Sequence, residues 1–482
     1  MPLWKPHLPD VARDAGRAVI AVGGEVSDGG GEIYLTPTQI AAAQPASTVD
    51  PGRNSRDHAR ARMVATGQWG PAQSMGRRWP IGCVALEITQ RCNLDCTACY
   101  LSEHSEAVKD LPLGEVFRRI DMIFAHYGRH TSVQVTGGDP TLRKRDELIA
   151  IVRRIYETGM RPALFTNGIK ATRGLLIALC EAGLEDVAFH VDLTQGRRGY
   201  SSESALNAVR ADYIERARGL PLGVYFNTTV FDGNFAQIPE VVTFFVRNSD
   251  VVRLASFQPK AETGRGIGGK RGAMITMASV AGQIAEGAGT ALSFDTVQAG
   301  HASCNRYAMA LIANGHAYDF LDHPGIYGAV LRRAADLQFD RRHPRRAIRT
   351  LIGCLLRNPD LVARGAPWFV GKLWRMRADL VAARGRATKL SFFIHNFMDA
   401  CHLEPARIEA CIFMAATGDG PISMCLHNAK RDAFILQPVK VTEPDGERFW
   451  NPLSGSVTAT PPTPPAQMPP VRPRSARSRA RG

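Results

Sequence analysis

Three cysteines within a short segment have the spacing of an iron–sulfur ligand set. Cys92, Cys96 and Cys99 form a CxxxCxxC pattern directly after the apolar run 81–89. Ferredoxin-type 4Fe–4S clusters are held by four cysteine thiolates, so a local set of three leaves one iron without a protein ligand. Such an iron can bind a substrate or cofactor, as the open position of a catalytic zinc does. The spacing therefore predicts a 4Fe–4S cluster with one exchangeable position.

Zinc binding and disulfide formation explain this segment less well. Zinc sites usually combine a CxxC pair with a second pair downstream. Disulfides are typical of secreted chains, whereas the N-terminal segment MPLWKP lacks the apolar core of a signal peptide. Ten cysteines in such a chain indicate metal or redox use in a reducing compartment. We therefore expect a cytoplasmic protein.

Short apolar runs and helical patterns alternate around and after the cysteines. The apolar runs have the length of buried parallel strands and cover 84–89, 132–137, 162–166, 187–193, 222–229 and 252–258. Helical patterns cover 113–126, 146–158, 172–182, 204–218 and 238–247. This alternation predicts an α/β fold, which is either a βα-barrel or a doubly wound sheet.

Polar residues recur where the predicted strands end. They are Cys92, the turn 137–140, Asn167, Asp192 and Asn227. An Asn-Gly pair alone would usually mark only a turn. In these folds, however, ligands gather at the carboxyl ends of the strands, so residues at successive strand ends predict one shared cavity.

The cysteine pattern and the later glycine turn together resemble the radical S-adenosylmethionine (radical SAM) superfamily. The turn Gly137-Gly138-Asp139-Pro140 begins 45 residues after Cys92, and the resemblance covers about 82–260. It implies a partial (β/α)6 TIM-like barrel with a 4Fe–4S cluster on the three cysteines and SAM on the fourth iron. Reduction by flavodoxin or ferredoxin would cleave SAM to a 5′-deoxyadenosyl radical, which takes hydrogen from a substrate.

The resemblance also implies which residues bind SAM. The glycine turn would offer backbone groups to the methionine ammonium, and we expect glycines there to keep side chains away from the ligand. Ala98 stands where the family usually has an aromatic residue against adenine, so Tyr100 would cover that face. The implied cofactor-binding set is Tyr100, Gly137, Gly138, Asp139, Pro140, Asn167, Asp192 and Asn227.

Four later cysteines suggest a second metal site in a C-terminal α+β extension. They are Cys304, Cys401, Cys411 and Cys425, and many radical SAM enzymes carry auxiliary clusters in such extensions. The alternative is that these cysteines are buried small hydrophobic residues. We predict an auxiliary iron–sulfur cluster on the four.

A second resemblance bears on the substrate. The segment 392–399, with Cys411 and Cys425, resembles the branch that contains the archaeal tetraether-lipid synthase and the methanogen pterin methylase. It implies an apolar or lipidic substrate and either C–C bond formation or methyl transfer. The alternatives are another small-molecule substrate, a maturase that acts on a peptide, and a non-catalytic iron–sulfur protein that transfers electrons.

The positive charge is concentrated after the barrel. The chain has a net charge of +14, and 331–389 contains 15 Lys or Arg against four Asp. Apolar and basic residues alternate there as in helices that lie on anionic membranes, so peripheral membrane contact is one interpretation. A solvated face on helices packed against the barrel is the other. Nucleic-acid binding ranks lower because no recognised motif accompanies the charge.

These patterns predict four parts of the chain. Residues 1–80 form a partly irregular N-terminal extension that packs loosely on the core, and 81–260 form the barrel. Residues 261–440 form the C-terminal extension with its basic amphipathic helices. Residues 441–482 are rich in Pro and Arg, and we expect a disordered tail.

Overall fold

The computed structural model of the protein describes residues 33–47, 54–266, 275–339, 344–443 and 446–462. The helices are α1 Pro37–Ala42, α2 Ser55–Ala65, α3 Leu113–Tyr127, α4 Arg145–Glu157, α5 Arg173–Glu181, α6 Glu203–Ala217, α7 Ile238–Arg247, α8 Met277–Ala288, α9 Pro324–Arg333, α10 Pro344–Arg357, α11 Pro359–Ala382, α12 Pro405–Glu409, α13 Met424–Ala429 and α14 Arg431–Ile435. The strands are β1 Cys83–Thr89, β2 Ser132–Gly137, β3 Arg161–Thr166, β4 Asp186–His190, β5 Gly223–Val230, β6 Val252–Pro259, β7 Asn305–Ala313, β8 His316–Asp319, β9 Thr388–His395, β10 Phe413–Ala416, β11 Pro421–Ser423, β12 Val439–Glu443, β13 Gly446–Trp450 and β14 Val457–Thr458.

Six strand–helix units form the centre of the molecule. Strands β1 to β6 pair in parallel and in chain order. All seven residues of β1 are buried, as expected for a strand covered on both faces. The helices between the strands begin at polar caps such as Thr172 and Ser202, whose side chains accept hydrogen bonds from the first turn. The predicted α/β fold with a partial barrel is confirmed.

The C-terminal extension adds strands to both edges of this sheet. Strand β9 pairs in parallel with β6, and β10 pairs in parallel with β1. Antiparallel neighbours β7, β8 and β11 then extend the two edges. The rings of His395, at the end of β9, and Phe413, at the start of β10, lie 4.0 Å apart. The sheet therefore curves until side chains of β9 and β10, which flank the six central strands, come into contact.

The N-terminal segment is more closely integrated than predicted. It contains the helix α1. Ahead of this helix, Leu35 is buried and donates its backbone N–H to Leu403 O. Met63 of α2 and Met75 are buried in the main core, because an apolar side chain gains free energy from burial wherever it lies in the chain. The expectation of loose packing is therefore wrong for these residues.

The segment after residue 438 also differs from the prediction. Strands β12, β13 and β14 form a separate antiparallel sheet, and Trp450 is buried in it. Alternating apolar residues supply one buried face even in this short stretch. An ordered sheet therefore occupies the start of the expected disordered tail, and 463–482 lie outside the described residues.

Two glycines in α8 allow a test of how closely this helix packs on α7. A Cβ atom at Gly287 would lie 2.3 Å from Pro239 O, whereas nothing lies within 4 Å of a Cβ at Gly282. We predict that Gly287→Ala lowers the free energy of unfolding by about 1–3 kcal/mol through overpacking. Gly282→Ala should raise it by about 0.5–1 kcal/mol, because alanine favours the helix. Urea titration of both variants measures the difference, and equal stabilities would contradict this packing.

Candidate active site

The three predicted cluster cysteines lie together on the loop that follows β1. None of the three forms a disulfide, and the Leu94 N–H donates to Cys92 Sγ, with 3.5 Å between nitrogen and sulfur. Burial raises the pKa of Cys96 well above its ordinary value, and the neighbouring Cys99 and Cys92 raise it further. Burial also raises the pKa of Cys99. Such thiols need a nearby cation, such as iron, to become thiolates.

A buried arginine beside this loop fits a negatively charged group. The Arg265 side chain is 1% exposed and lies 3.5 Å from Asp95 and 3.7 Å from Glu106. Within the described ranges, its two terminal nitrogens have no hydrogen-bond partner. Burying donors of a charged group without acceptors is costly. Arg265 and Arg431 both lower the pKa of Cys99, although burial has the larger, opposite effect. An anionic iron–sulfur cluster on the three thiolates would match this charge.

The three cysteines are not arranged as the ligands of one metal ion. Among the residues that the structure describes, no three His, Cys, Asp or Glu side chains converge closely enough to hold one metal ion. In a 4Fe–4S cluster each thiolate binds a different iron, so such convergence is not required.

The glycine turn after β2 packs against the chain that leaves β1. Gly138 N–H donates to Thr89 O at 2.9 Å, and Asp139 N–H donates to Arg91 O at 2.8 Å. A Cβ atom at Gly137 would lie 1.9 Å from Thr89 O, and one at Gly138 would lie 2.0 Å from Arg91 O. The glycines are therefore needed for this backbone contact, and their role in keeping side chains away from a ligand stays a prediction.

The side chain of Asp139 holds the turn against the end of β3. Its carboxylate is fully buried and accepts hydrogen bonds from Thr166 Oγ1 and the Asn167 N–H, both at 2.8 Å. Burial raises its pKa, and these hydrogen bonds oppose the rise. Pro140, the next residue, is also buried. The Asp139 side chain thus joins β2 to β3, and binding of cofactor through the backbone of the turn stays a prediction.

Asn167 is brought to the cysteine loop, as predicted from its strand-end position. Its side-chain amide donates to Asn93 Oδ1 at 2.7 Å and lies 3.9 Å from Cys92 Sγ. Arg197 donates to Asn167 O at 2.7 Å and to Tyr213 at 2.9 Å. The loops after β1, β3 and β4 are thereby linked by hydrogen bonds.

Asp192 and His190 form a pair after β4. The Asp192 carboxylate is fully buried and accepts hydrogen bonds from His190 Nε2 and the Thr229 N–H, both at 2.7 Å. Burial raises the pKa of Asp192, but His190 and the hydrogen bonds outweigh it and lower the pKa to about 2. Burial lowers the pKa of His190, yet Asp192 shifts it upward overall. The imidazole is 35% exposed, so His190 is the more accessible member, and the prediction had selected only Asp192.

Asn227 and Tyr100 take different positions in the site. Asn227 is buried in β5, directly beside His190 of β4. The Tyr100 hydroxyl donates to Gly137 O at 2.7 Å, and the guanidinium of Arg431 lies 4.6 Å from the centre of its ring. Tyr100 thus fastens the end of the cysteine loop to the glycine turn.

Three of the four later cysteines line a second cavity. Cys304, Cys411 and Cys425 border one small cavity together with apolar side chains that include Phe397. Arg407 Nε donates to Cys304 Sγ at 3.1 Å. Burial nevertheless raises the pKa of Cys304 to about 11.

Cys401 does not join this group. It is exposed, and its sulfur lies 3.3 Å from Nδ1 of the adjacent His402. The structure therefore brings together three of the four cysteines predicted for the auxiliary site.

The His190–Asp192 pair yields a prediction that does not depend on any bound group. Asp192→Asn removes the negative charge that favours protonated His190, while burial continues to disfavour it. We predict that the pKa of His190 falls below its ordinary value of about 6.5. NMR titration of ¹⁵N-histidine-labelled protein measures this shift, with His190→Gln identifying the signal. Asp432→Asn, which disrupts the distant pair with His104, should leave the pKa of His190 unchanged, and an unshifted pKa in Asp192→Asn would contradict the assignment.

Part of the chain is similar to known proteins. Residues 86–244 match the family model described as Radical SAM superfamily. The chain is 27% identical over 186 residues to 7,8-dihydro-6-hydroxymethylpterin dimethyltransferase of Methanocaldococcus jannaschii, a match covering 37% of the chain and 36% of the relative. It is 28% identical over 191 residues to the probable GTP 3′,8-cyclase of Thermoplasma volcanium, covering 38% and 56%. It is 28% identical over 182 residues to PqqA peptide cyclase of Methylobacterium nodulans, covering 35% and 44%.

The matched segments thus span roughly a third to a little over half of these relatives. Among solved structures, Streptococcus suis SuiB bound to S-adenosylmethionine matches with 16% identity and a TM-score of 0.32, over 42% of this chain and 46% of that one. Residues 86–244 of the chain thus match the radical SAM superfamily, and the part of the chain outside this segment is not covered by the family model.

Proposed function

We propose that Cys92, Cys96 and Cys99 hold a 4Fe–4S cluster whose open iron binds SAM. The observation that carries this proposal is the gathering of three thiols at the carboxyl end of β1, beside the buried guanidinium of Arg265. The reduced cluster would supply the electron that splits SAM into methionine and a 5′-deoxyadenosyl radical, which takes hydrogen from the substrate. Reduced flavodoxin or ferredoxin in the cytoplasm would be the electron donor.

The chain's own residues would position these groups. Arg265 and Arg431 favour the thiolate form of Cys99, and they would offset the negative charge of a cluster. Asn167 holds the start of the cysteine loop through Asn93. The accessible imidazole of His190 would contact SAM.

Buried residues would support those contacts. Asp192 fixes the ring of His190, and Asn227 lies beside it. Gly137, Gly138, Asp139 and Pro140 would set the position of the methionine end through the backbone of the turn, and Tyr100 would close the adenine side.

An auxiliary cluster is part of the proposal. Cys304, Cys411 and Cys425 share one cavity, and Arg407 would stabilise a thiolate at Cys304 by a charge-assisted hydrogen bond. Three cysteines would again leave one iron open. Cys401 is excluded from this set because its exposed sulfur lies outside the cavity.

The substrate that we propose is apolar or lipidic, with C–C bond formation or methyl transfer as the outcome. The likeness of 392–399, with Cys411 and Cys425, to the tetraether-lipid synthase and pterin methylase branch supports this, and a pterin dimethyltransferase is among the relatives. A peptide substrate is the alternative, because PqqA peptide cyclases are among the relatives. Rates of 5′-deoxyadenosine release with phospholipid micelles, with 7,8-dihydro-6-hydroxymethylpterin and with a peptide would separate these classes. A purely electron-transferring protein would release none.

Cleavage of SAM should require the loop after β1. We predict that Cys92→Ala reduces dithionite-driven release of 5′-deoxyadenosine to the level without enzyme, because one ligand of the cluster is lost. Chromatography of the anaerobic reaction measures the product. Cys83→Ala is the matched control: its thiol is buried within β1, so the variant should retain activity. Normal product formation by Cys92→Ala would contradict the assigned ligand set.

The iron content tests the auxiliary cluster separately. Two clusters of four irons predict about seven to eight irons per chain after anaerobic reconstitution. Cys411→Ala should retain about four, whereas Cys401→Ala should bind as much iron as the unaltered protein. Colorimetric iron analysis decides between these outcomes. About four irons in the unaltered protein, with no change in Cys411→Ala, would exclude the second cluster.

A further inference from the structure

The surface of α10 and α11 concentrates exposed apolar side chains. Among the described residues, nineteen large hydrophobic side chains are exposed, and eleven of them lie between residues 348 and 381. On an ordinary monomer, exposed hydrophobic residues are scattered singly, whereas clustered ones mark an interaction site. This cluster therefore requires an explanation beyond chance.

The helical spacing makes the cluster a continuous stripe. In α10, Ile348, Leu351, Ile352 and Leu355 recur at intervals of three and four residues, which places them on one side of the helix. Each is at least 37% exposed. Cys354, on another side of the helix, is buried against the protein. The stripe thus faces away from the core.

Helix α11 has an equivalent side. Val362, Phe369 and Leu373 follow the same spacing, and Val370 and Trp374 lie beside them. We call the exposed stripes of both helices the apolar face. At about 1.5 Å per residue, α11 extends for roughly 36 Å.

Another side of α11 packs against the protein. Buried Lys372 forms an ion pair with Asp322, and Trp368 Nε1 donates to the same carboxylate at 2.8 Å. Met376 is 1% exposed. Because these contacts fix the orientation of the helix, the apolar face cannot turn inward without breaking them.

The charges around the apolar face are positive. Residues 344–382 contain eight Lys or Arg and two Asp. Of the eight, Lys372 is buried, and both Lys372 and Arg375 pair with Asp322, so six basic residues remain. Arg345, Arg346, Arg349 and Arg364 are exposed. Arg377 is also exposed, and its guanidinium lies 4.3 Å from the centre of the Trp374 ring.

Neither aspartate offsets this charge on the outer surface. Asp360 pairs with Arg333 of α9, and Asp379 accepts hydrogen bonds from Tyr318 and from Asn314. Both carboxylates are thereby engaged by neighbouring elements.

We infer that the apolar face docks on the surface of an anionic lipid bilayer. An apolar stripe with Trp and Phe, bordered by arginines, is the pattern of helices that lie in the interface plane of a membrane. Each basic residue near such a surface contributes about 1 kcal/mol. No helix within the described residues is long and apolar enough to cross a membrane, so the inferred contact is peripheral. The inference goes beyond the proposed function and does not depend on SAM cleavage. Contact with a membrane would, however, bring the barrel close to apolar molecules in the bilayer.

Vesicle flotation of the full chain tests this inference. We expect the protein to float with vesicles of phosphatidylglycerol and phosphatidylcholine, to bind pure phosphatidylcholine weakly, and to lose binding as salt rises. Leu351→Gln/Leu355→Gln should weaken binding roughly tenfold or more, since each change removes a leucine that the bilayer would bury. Arg345→Gln/Arg346→Gln should weaken it and flatten the salt dependence.

The control alters an exposed apolar residue elsewhere. Ile177→Gln, on α5 of the barrel, should bind vesicles like the unaltered protein. Absence of flotation with anionic vesicles, or equal flotation of the Leu351→Gln/Leu355→Gln variant, would overturn the inference. It would also be overturned by a vesicle-free dimer that this variant dissociates, because a second copy would then cover the apolar face. Release of 5′-deoxyadenosine by the same variants is measured separately, so a failure of the proposed function is distinguishable.

Discussion

The candidate site depends on one close backbone contact, between the glycine turn after β2 and the chain that leaves β1. No Cβ atom fits at Gly137 or Gly138, because each would meet a carbonyl oxygen of that chain within 2.0 Å. The contact fixes the point from which the cysteine loop starts, and Tyr100 fixes the loop's end on Gly137 O. A loop held at both ends loses little further freedom when it binds a cluster, which lowers the entropic cost of ordering it.

Buried carboxylates form the next layer of support. Asp139 joins β2 to β3, Asp192 holds His190, and Glu87 of β1 pairs with Arg431 of α14 at 2.7 Å. Burial raises the pKa of Glu87, but Arg431 lowers it to about 2. A buried carboxylate is tolerated only where donors satisfy it, so these acids face the protein. Of the His190–Asp192 pair, the imidazole is the accessible group, since it is 35% exposed.

The sequence predicted the centre of the fold closely and the direction of its side chains poorly. Strand 132–137 and helix 238–247 match their predicted bounds because their patterns are local and strong. Strand β10 has only four residues, and its pairing with β1 joins segments far apart in the chain, so no local pattern identifies it.

The same limit applies to the site. Strand-end position correctly brought Asn167 to Cys92. The position at a strand end could not show that Asp192 faces inward while His190 is partly exposed. Nor could it show that Cys401 points away from Cys411, since those orientations follow from tertiary packing.

The C-terminal extension has two physically different relations to the barrel. Its strands β9 and β10 continue the parallel sheet, and Arg431 reaches back to Tyr100 at the end of the cysteine loop. Substitutions in β9, in β10 or at Arg431 are therefore expected to alter the candidate site. Helices α10 and α11 instead lie between β8 and β9 in the chain and contribute no strand to the sheet. Their outer residues can therefore be selected for an external contact with little effect on the strand ends, and this separation explains how an apolar, basic surface can coexist with a closely packed barrel.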